Sequence, residues 1–126
     1  MSLDDPTKPE LENRLAIGWR KFWALKKSLL NRSVSRNKRL RLFGTTVGSS
    51  VLYGSHAWTP RADEIRQIRT TQNRMLRRIC QISKGAEEPW IDWIKRATHQ
   101  SRQLAQAANL RDWVEEQARR KYQWAG

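Results

Sequence analysis

The chain has 126 residues and a formal net charge of +13 at pH 7, from 25 Lys and Arg against 12 Asp and Glu. That length makes one domain with a modest core, too small for a whole polymerase, kinase or large hydrolase. Its single cysteine, Cys80, leaves no internal disulfide, and with only His56 and His99 beside it the composition argues against a self-contained structural zinc site.

Residues 1–10 read as a flexible lead-in. Pro6 and Pro9 interrupt it, and Asp4, Asp5 and Glu10 leave no apolar run, so it is not a signal peptide. The first helix is expected over residues 11–31, where Leu11, Leu15, Trp19, Phe22 and Leu29 recur at helical spacing. Trp23, Leu25 and Leu30 widen that stripe. Lys26 falls inside the apolar arc, so either its stem snorkels or the helix bends there. Residues 31–35 form a turn with Ser35 as N-cap. A second helix is expected over residues 36–54, with Leu40, Phe43, Val47 and Val51 facing inward and Trp58 past its end. Gly44 and Gly48 lie four apart in it. Each costs about 1 kcal/mol in a helix interior, which close packing by a neighbour explains better than a break near Gly48.

The stretch of residues 42–60 carries no charge, but Gly, Ser, Thr and His56 dilute it. A bilayer span needs about 20 predominantly apolar residues, so no membrane partner is expected. A third helix begins with Thr59 as N-cap and Pro60 at its first position. Asp63 and Glu64 sit in its first turn, where the helix dipole favours acids. It runs to about residue 82 on an apolar face of Ile65, Ile68, Gln72, Met75, Ile79 and Ile82. A loop over residues 83–88 leads to a fourth helix from Pro89, with Trp90, Ile91, Ile94, Ala97, Leu104 and Ala108 inward. A fifth follows Asn109, burying Leu110, Trp113, Val114 and Tyr122. The expectation is an all-α bundle of about five helices without significant sheet.

Charge is distributed unevenly along this framework. Residues 13–62 contain eleven bases and no acid. Such a segment repels itself unless an anion neutralises it, and nucleic acid is the obvious polyanion. Candidate phosphate contacts are Lys26, Lys27, Arg32, Arg36, Lys38, Arg39 and Arg41. A second row, Arg66, Arg69, Arg74, Arg77 and Arg78, lies on the polar side of the third helix. Catalytic constellations are sparse. The adjacent Asp4 and Asp5 sit in a Pro-flanked tail without the clustered carboxylates a two-metal site requires. No Gly-rich phosphate loop occurs. Cys80 lies one step from an apolar stripe and reads as a structural thiol rather than a nucleophile paired with His99. His56 reads as a loop histidine. The tryptophans could stack on bases, but Trp19, Trp90 and Trp113 fall on apolar faces and read as core.

Four segments, taken in order, carry a resemblance. Leu11-Glu-Asn-Arg-Leu-Ala-Ile-Gly-Trp19, Val51-Leu-Tyr-Gly54 followed by Trp58, Thr71-Gln-Asn-Arg-Met-Leu-Arg-Arg-Ile79 and Arg119-Arg-Lys-Tyr-Gln-Trp124-Ala-Gly126 resemble the thumb and connector region of non-LTR (LINE-type) retrotransposon reverse transcriptases. The resemblance covers about residues 10–126. It implies a thumb-like basic unit over residues 11–84 and connector helices packed on it over residues 85–126, truncated inside the last motif. It also implies a nucleic-acid-binding piece of a transposable element's RNA-directed DNA polymerase that grips RNA, DNA or an RNA–DNA hybrid through the phosphate backbone. The family's Tyr-x-Asp-Asp box is absent from this sequence. The resemblance therefore implies no enzyme in this chain, no cofactor and no small-molecule substrate, the parent polymerase holding its Mg²⁺ in a palm supplied elsewhere. An intracellular location, nuclear or cytoplasmic and not secreted, follows as an expectation. The alternatives are a protein-interaction module that docks onto such a palm, and a non-functional relic.

Overall fold

The apolar residues Leu11, Leu15 and Phe22, with Gly18, turn one face of the first helix wholly inward. A computed structural model, which describes residues 7–125, extends that helix, α1, over Thr7–Ala24. The lead-in expected through residue 10 is therefore helical from Thr7, and its remainder, with Asp4 and Asp5, lies outside the described residues. Pro9 fits because the first-turn amides have no partner inside the helix. The helix ends before Lys26 and resumes as α2 (Lys26–Leu29). Of the two outcomes open at Lys26 the chain takes the bend: the lysine is exposed, while Leu29 beyond it is fully buried.

Ser35 caps the next helix as expected, its Oγ accepting the Lys38 amide at 3.2 Å. The expected single helix of residues 36–54 is instead three pieces: α3 (Arg36–Phe43), a π-helical turn (Gly44–Gly48) and α4 (Ser49–Leu52). The hydroxyls of Thr45 and Thr46 donate to the carbonyls of Arg41 and Leu42, around the point where the helix widens. Both glycines are closely approached. A Cβ on Gly44 would lie 2.9 Å from Leu110 Cδ1, and one on Gly48 would lie 3.4 Å from Trp113 Nε1. Gly54, at φ 73°, turns the chain into a 3₁₀ turn (Ser55–Ala57) that leaves Trp58 buried.

Helix α5 (Ala62–Cys80) starts two residues later than expected. Thr59 does not cap it: its hydroxyl accepts from Lys121 Nζ at 2.7 Å, and its amide donates to Thr7 Oγ1. The start is closed instead by Glu64 Oε1, which accepts the Arg61 amide at 3.0 Å. Helix α6 (Trp90–Ala107) runs back along α5 on small residues, Ala97, Ser101 and Ala105. Its first turn overshoots the end of α5, so Trp90 and Ile91, expected in the core, are 59% and 56% exposed. Helix α7 (Trp113–Ala125) begins at Asp112, whose Oδ1 accepts the Val114 and Glu115 amides. Trp113 is buried, but Tyr122, also expected inside, is 82% exposed. The inner positions of α7 belong to Glu116 and Gln117.

Among the described residues there is no strand, and the fold is an all-α bundle. Its core is continuous. Ala105, Ala108 and Trp113 join Leu11, Phe22, Phe43, Met75 and Ile79, and Trp113 stacks on Phe43 at 5.7 Å between ring centroids. Gln72 joins α5 to the start of α7, accepting the Trp113 amide at 3.0 Å and donating to the Arg111 carbonyl at 3.1 Å. Gln117 donates to the carbonyls of Ser55 and Trp58. Among the described residues no helix is long and apolar enough to cross a membrane.

Candidate nucleic-acid interface

The 3.6-residue repeat that buries Ile68, Gln72, Met75 and Ile79 puts Arg66, Arg74 and Arg77 on the far side of α5, with Arg69 and Arg78 on its two flanks. All are exposed except Arg77, which is half-buried. None of the five has a carboxylate partner among the described residues; the acids that pair do so elsewhere, with Arg96, Arg102, Arg111, Arg119 and Arg120. Arg77 donates to Thr98 Oγ1 of α6 at 2.8 Å. Burial, then the like charges of Arg74 and Arg78, push its guanidinium below the usual arginine value. Arg78 lies over the Trp23 ring of α1, 5.0 Å from the ring centroid.

The C-terminal half of this face floors a groove of about 640 Å³ between α1 and α6. Arg74, Arg77 and Arg78 supply its charge, and Trp19, Leu30, Ile82 and Trp93 its apolar walls. Both indoles are fixed. Trp93 Nε1 donates to the Ile82 carbonyl at 3.0 Å, and Trp19 stacks on Trp23 and meets Phe22 edge-on. Among the described residues no acid lines the groove.

The row ahead of α5 divides. Lys26, Lys27, Lys38 and Arg41 are exposed. Arg41 borders a different pocket, beside Thr45, Arg111, Glu116 and Arg120. Arg39 is not a phosphate contact: it is only 6% exposed and donates to the carbonyls of Val34 and Ile79. Arg36 donates to the Cys80 carbonyl at 3.0 Å, and Arg32 to Gln81 Oε1 at 2.6 Å. These three arginines form a collar around the C-terminus of α5, where orphan carbonyls and the negative end of the helix dipole favour cations. Arg32 and Arg36 remain exposed as side chains. The densest basic run in the sequence is thus partly structural. The sequence signal for a collar is weak, because the carbonyls it serves lie about forty residues away along the chain.

The other candidates resolve simply. Cys80 is fully buried, and burial pushes its thiol up, opposite to what a nucleophile requires. His56 is half-buried against Trp124, with ring centroids 5.0 Å apart. Among the described residues no cluster of His, Cys, Asp and Glu could hold a metal ion. Trp19 is half-buried rather than core, whereas Trp113 is core as expected. The chain matches no protein-family model, no curated protein and no solved structure.

Proposed function

We propose that this chain is a non-catalytic, nucleic-acid-binding helical part of a retrotransposon reverse transcriptase, gripping the template–primer through its phosphates. The observation that carries the reading is the polar side of α5, where Arg74, Arg77 and Arg78 lie close enough for their like charges to act on one another and Arg66 and Arg69 extend the row, none with a carboxylate partner among the described residues. Guanidinia crowded in this way gain when phosphates replace their mutual repulsion, and the released counterions make such binding steeply salt-dependent. The four motif segments of the sequence add the retroelement origin.

The test is fluorescence anisotropy of a labelled RNA–DNA hybrid at several salt concentrations. Submicromolar binding at low salt is expected, with a steep log–log slope. Replacing Arg66, Arg69 and Arg74 together by Gln should lower that slope by about 2–3, since each neutralised phosphate adds roughly 0.9 to it. An unchanged slope removes α5 from the interface. No binding at low salt by the folded protein favours a second reading, a module that docks onto a protein partner. The exposed Trp90 and Ile91 at the start of α6 are what favour that reading.

A further inference from the structure

Phosphate binding calls for cations, and it gives no reason for tryptophan beside them. The groove above the C-terminal half of α5 has both. Trp19 on α1 and Trp93 on α6 line it together with Arg74, Arg77 and Arg78. Its volume, about 640 Å³, falls in the range of pockets that enclose a small ligand, roughly 300–1,000 Å³. The indoles are held in place by their own contacts, Trp93 through the Ile82 carbonyl and Trp19 through Trp23. An aromatic wall fixed beforehand loses little side-chain freedom when a ring stacks on it. Arg78 is itself drawn onto the Trp23 face, and Arg77 is tied to Thr98. Arg74 has no described partner.

We infer that this groove is a stacking site for an unpaired base of a single-stranded nucleic acid, with the flanking phosphates held by the arginines of α5. The inference rests on the reading of the chain as a nucleic-acid binder and adds the ligand form: a strand whose bases are free, beside or beyond a duplex. A base inside a duplex has both faces covered by its neighbours and offers none to an indole. Aromatic stacking combined with a positive track is the usual chemistry of single-strand binding, and it tolerates any base.

The probes are two labelled oligomers of equal length and equal phosphate number, an oligothymidylate and its abasic counterpart. Expected is tighter binding of the oligothymidylate by roughly tenfold per stacked base. Trp93→Leu should remove that preference, and Trp124→Leu, on the exposed surface of α7, should keep it. A second measurement uses the unsubstituted protein labelled with 5-fluorotryptophan. Its ¹⁹F resonances for Trp19 and Trp93 should move with oligothymidylate and stay with the abasic oligomer, and this readout does not depend on how the Trp93 variant folds. Equal affinity for the two oligomers, or shifts confined to the other tryptophans, overturns the stacking site and leaves phosphate binding standing. Binding to neither oligomer nor to the hybrid overturns the nucleic-acid reading itself.

Discussion

Arg39 shows how a basic residue changes meaning when its surroundings are known. In the sequence it is one cation among several between Arg32 and Arg41. In the fold it is buried and serves two carbonyls, one before its own helix and one at the end of α5. Burial, then the charge of Arg36, push its guanidinium below the usual value, and the same burial, with its donors turned to two carbonyls, keeps it out of reach of an anion in solvent. Arg39→Ala should therefore destabilise the fold by about 2–3 kcal/mol, since it removes charge-assisted hydrogen bonds and strands buried carbonyls. Lys38→Gln, one residue away on the exposed side, should leave urea stability within about 0.5 kcal/mol. Denaturant midpoints of the two variants decide this, and equal midpoints would return Arg39 to the surface. The same collar explains Gln81, which sits at φ 52° in the region that favours glycine. Its side chain donates to the Leu30 carbonyl and accepts from Arg32, holding it there.

Helices α1 and α4 meet at Gly18. A Cβ placed there would lie 2.4 Å from Val51 Cγ2, a side chain that is fully buried and stiff at χ1. Helix propensity alone favours Gly18→Ala by about 1 kcal/mol. The clash opposes it, and overpacking a close-packed interior costs about 1–3 kcal/mol. The neighbour cannot swing aside, so the clash wins and a lower thermal midpoint is expected for Gly18→Ala. A double variant with Val51→Ala should recover part of that loss, and a higher midpoint for the single variant would show that the helices separate without cost. Spacing in the sequence singles out Gly44 and Gly48, and both are closely approached. It passes over Gly18, because a lone glycine carries no record of which helix crosses it. The apolar faces of α1 and α5 were legible because their 3.6-residue repeats are long and regular. The ends were not. Helix α5 starts where Glu64 reaches Arg61 rather than at Thr59-Pro60, since Lys121 occupies the threonine hydroxyl from sixty-two residues away. Trp90 and Ile91 keep the apolar pattern beyond the point where α5 stops, so their periodicity records a face without a neighbour. The arginine face of α5 was legible for the same reason as its core face. The groove was not, because its indoles come from three-dimensional approach of α1 and α6.

Across the whole molecule the acids and bases are sorted. Glu88 pairs with Arg96, Asp112 with Arg102, and Glu116 with Arg111, Arg119 and Arg120, all in the second half of the chain. In the first half Arg32, Arg36 and Arg39 turn instead to carbonyls and to the Gln81 amide at the end of α5. Acid should therefore unfold the protein by two routes that act in one direction. Hydrogen bonding to Arg119 holds the Glu116 carboxyl down from 4.5 to about 2, and Arg96 does the same for Glu88. A carboxyl whose folded pKa is depressed adds stability that is fully present above its unfolded pKa, and that stability is lost as pH falls through the window to about 2. Neutralising the 12 acids meanwhile leaves 25 Lys and Arg unopposed and strengthens the self-repulsion. Salt separates the two routes. It screens the long-range repulsion between exposed bases, while the Glu116 clamp, only 8% exposed on its acidic side, is screened far less. Circular dichroism melts from pH 6 to pH 2 should show a falling midpoint, and 0.5 M NaCl should reduce the fall without removing it. In Glu116→Gln the midpoint at pH 6 should already be lower, and the remaining fall smaller, because the variant has no proton to take up at that position. A fall of the same size in the variant would remove Glu116 from the acid sensitivity, and full suppression by salt in the unsubstituted protein would place that sensitivity in the net charge alone.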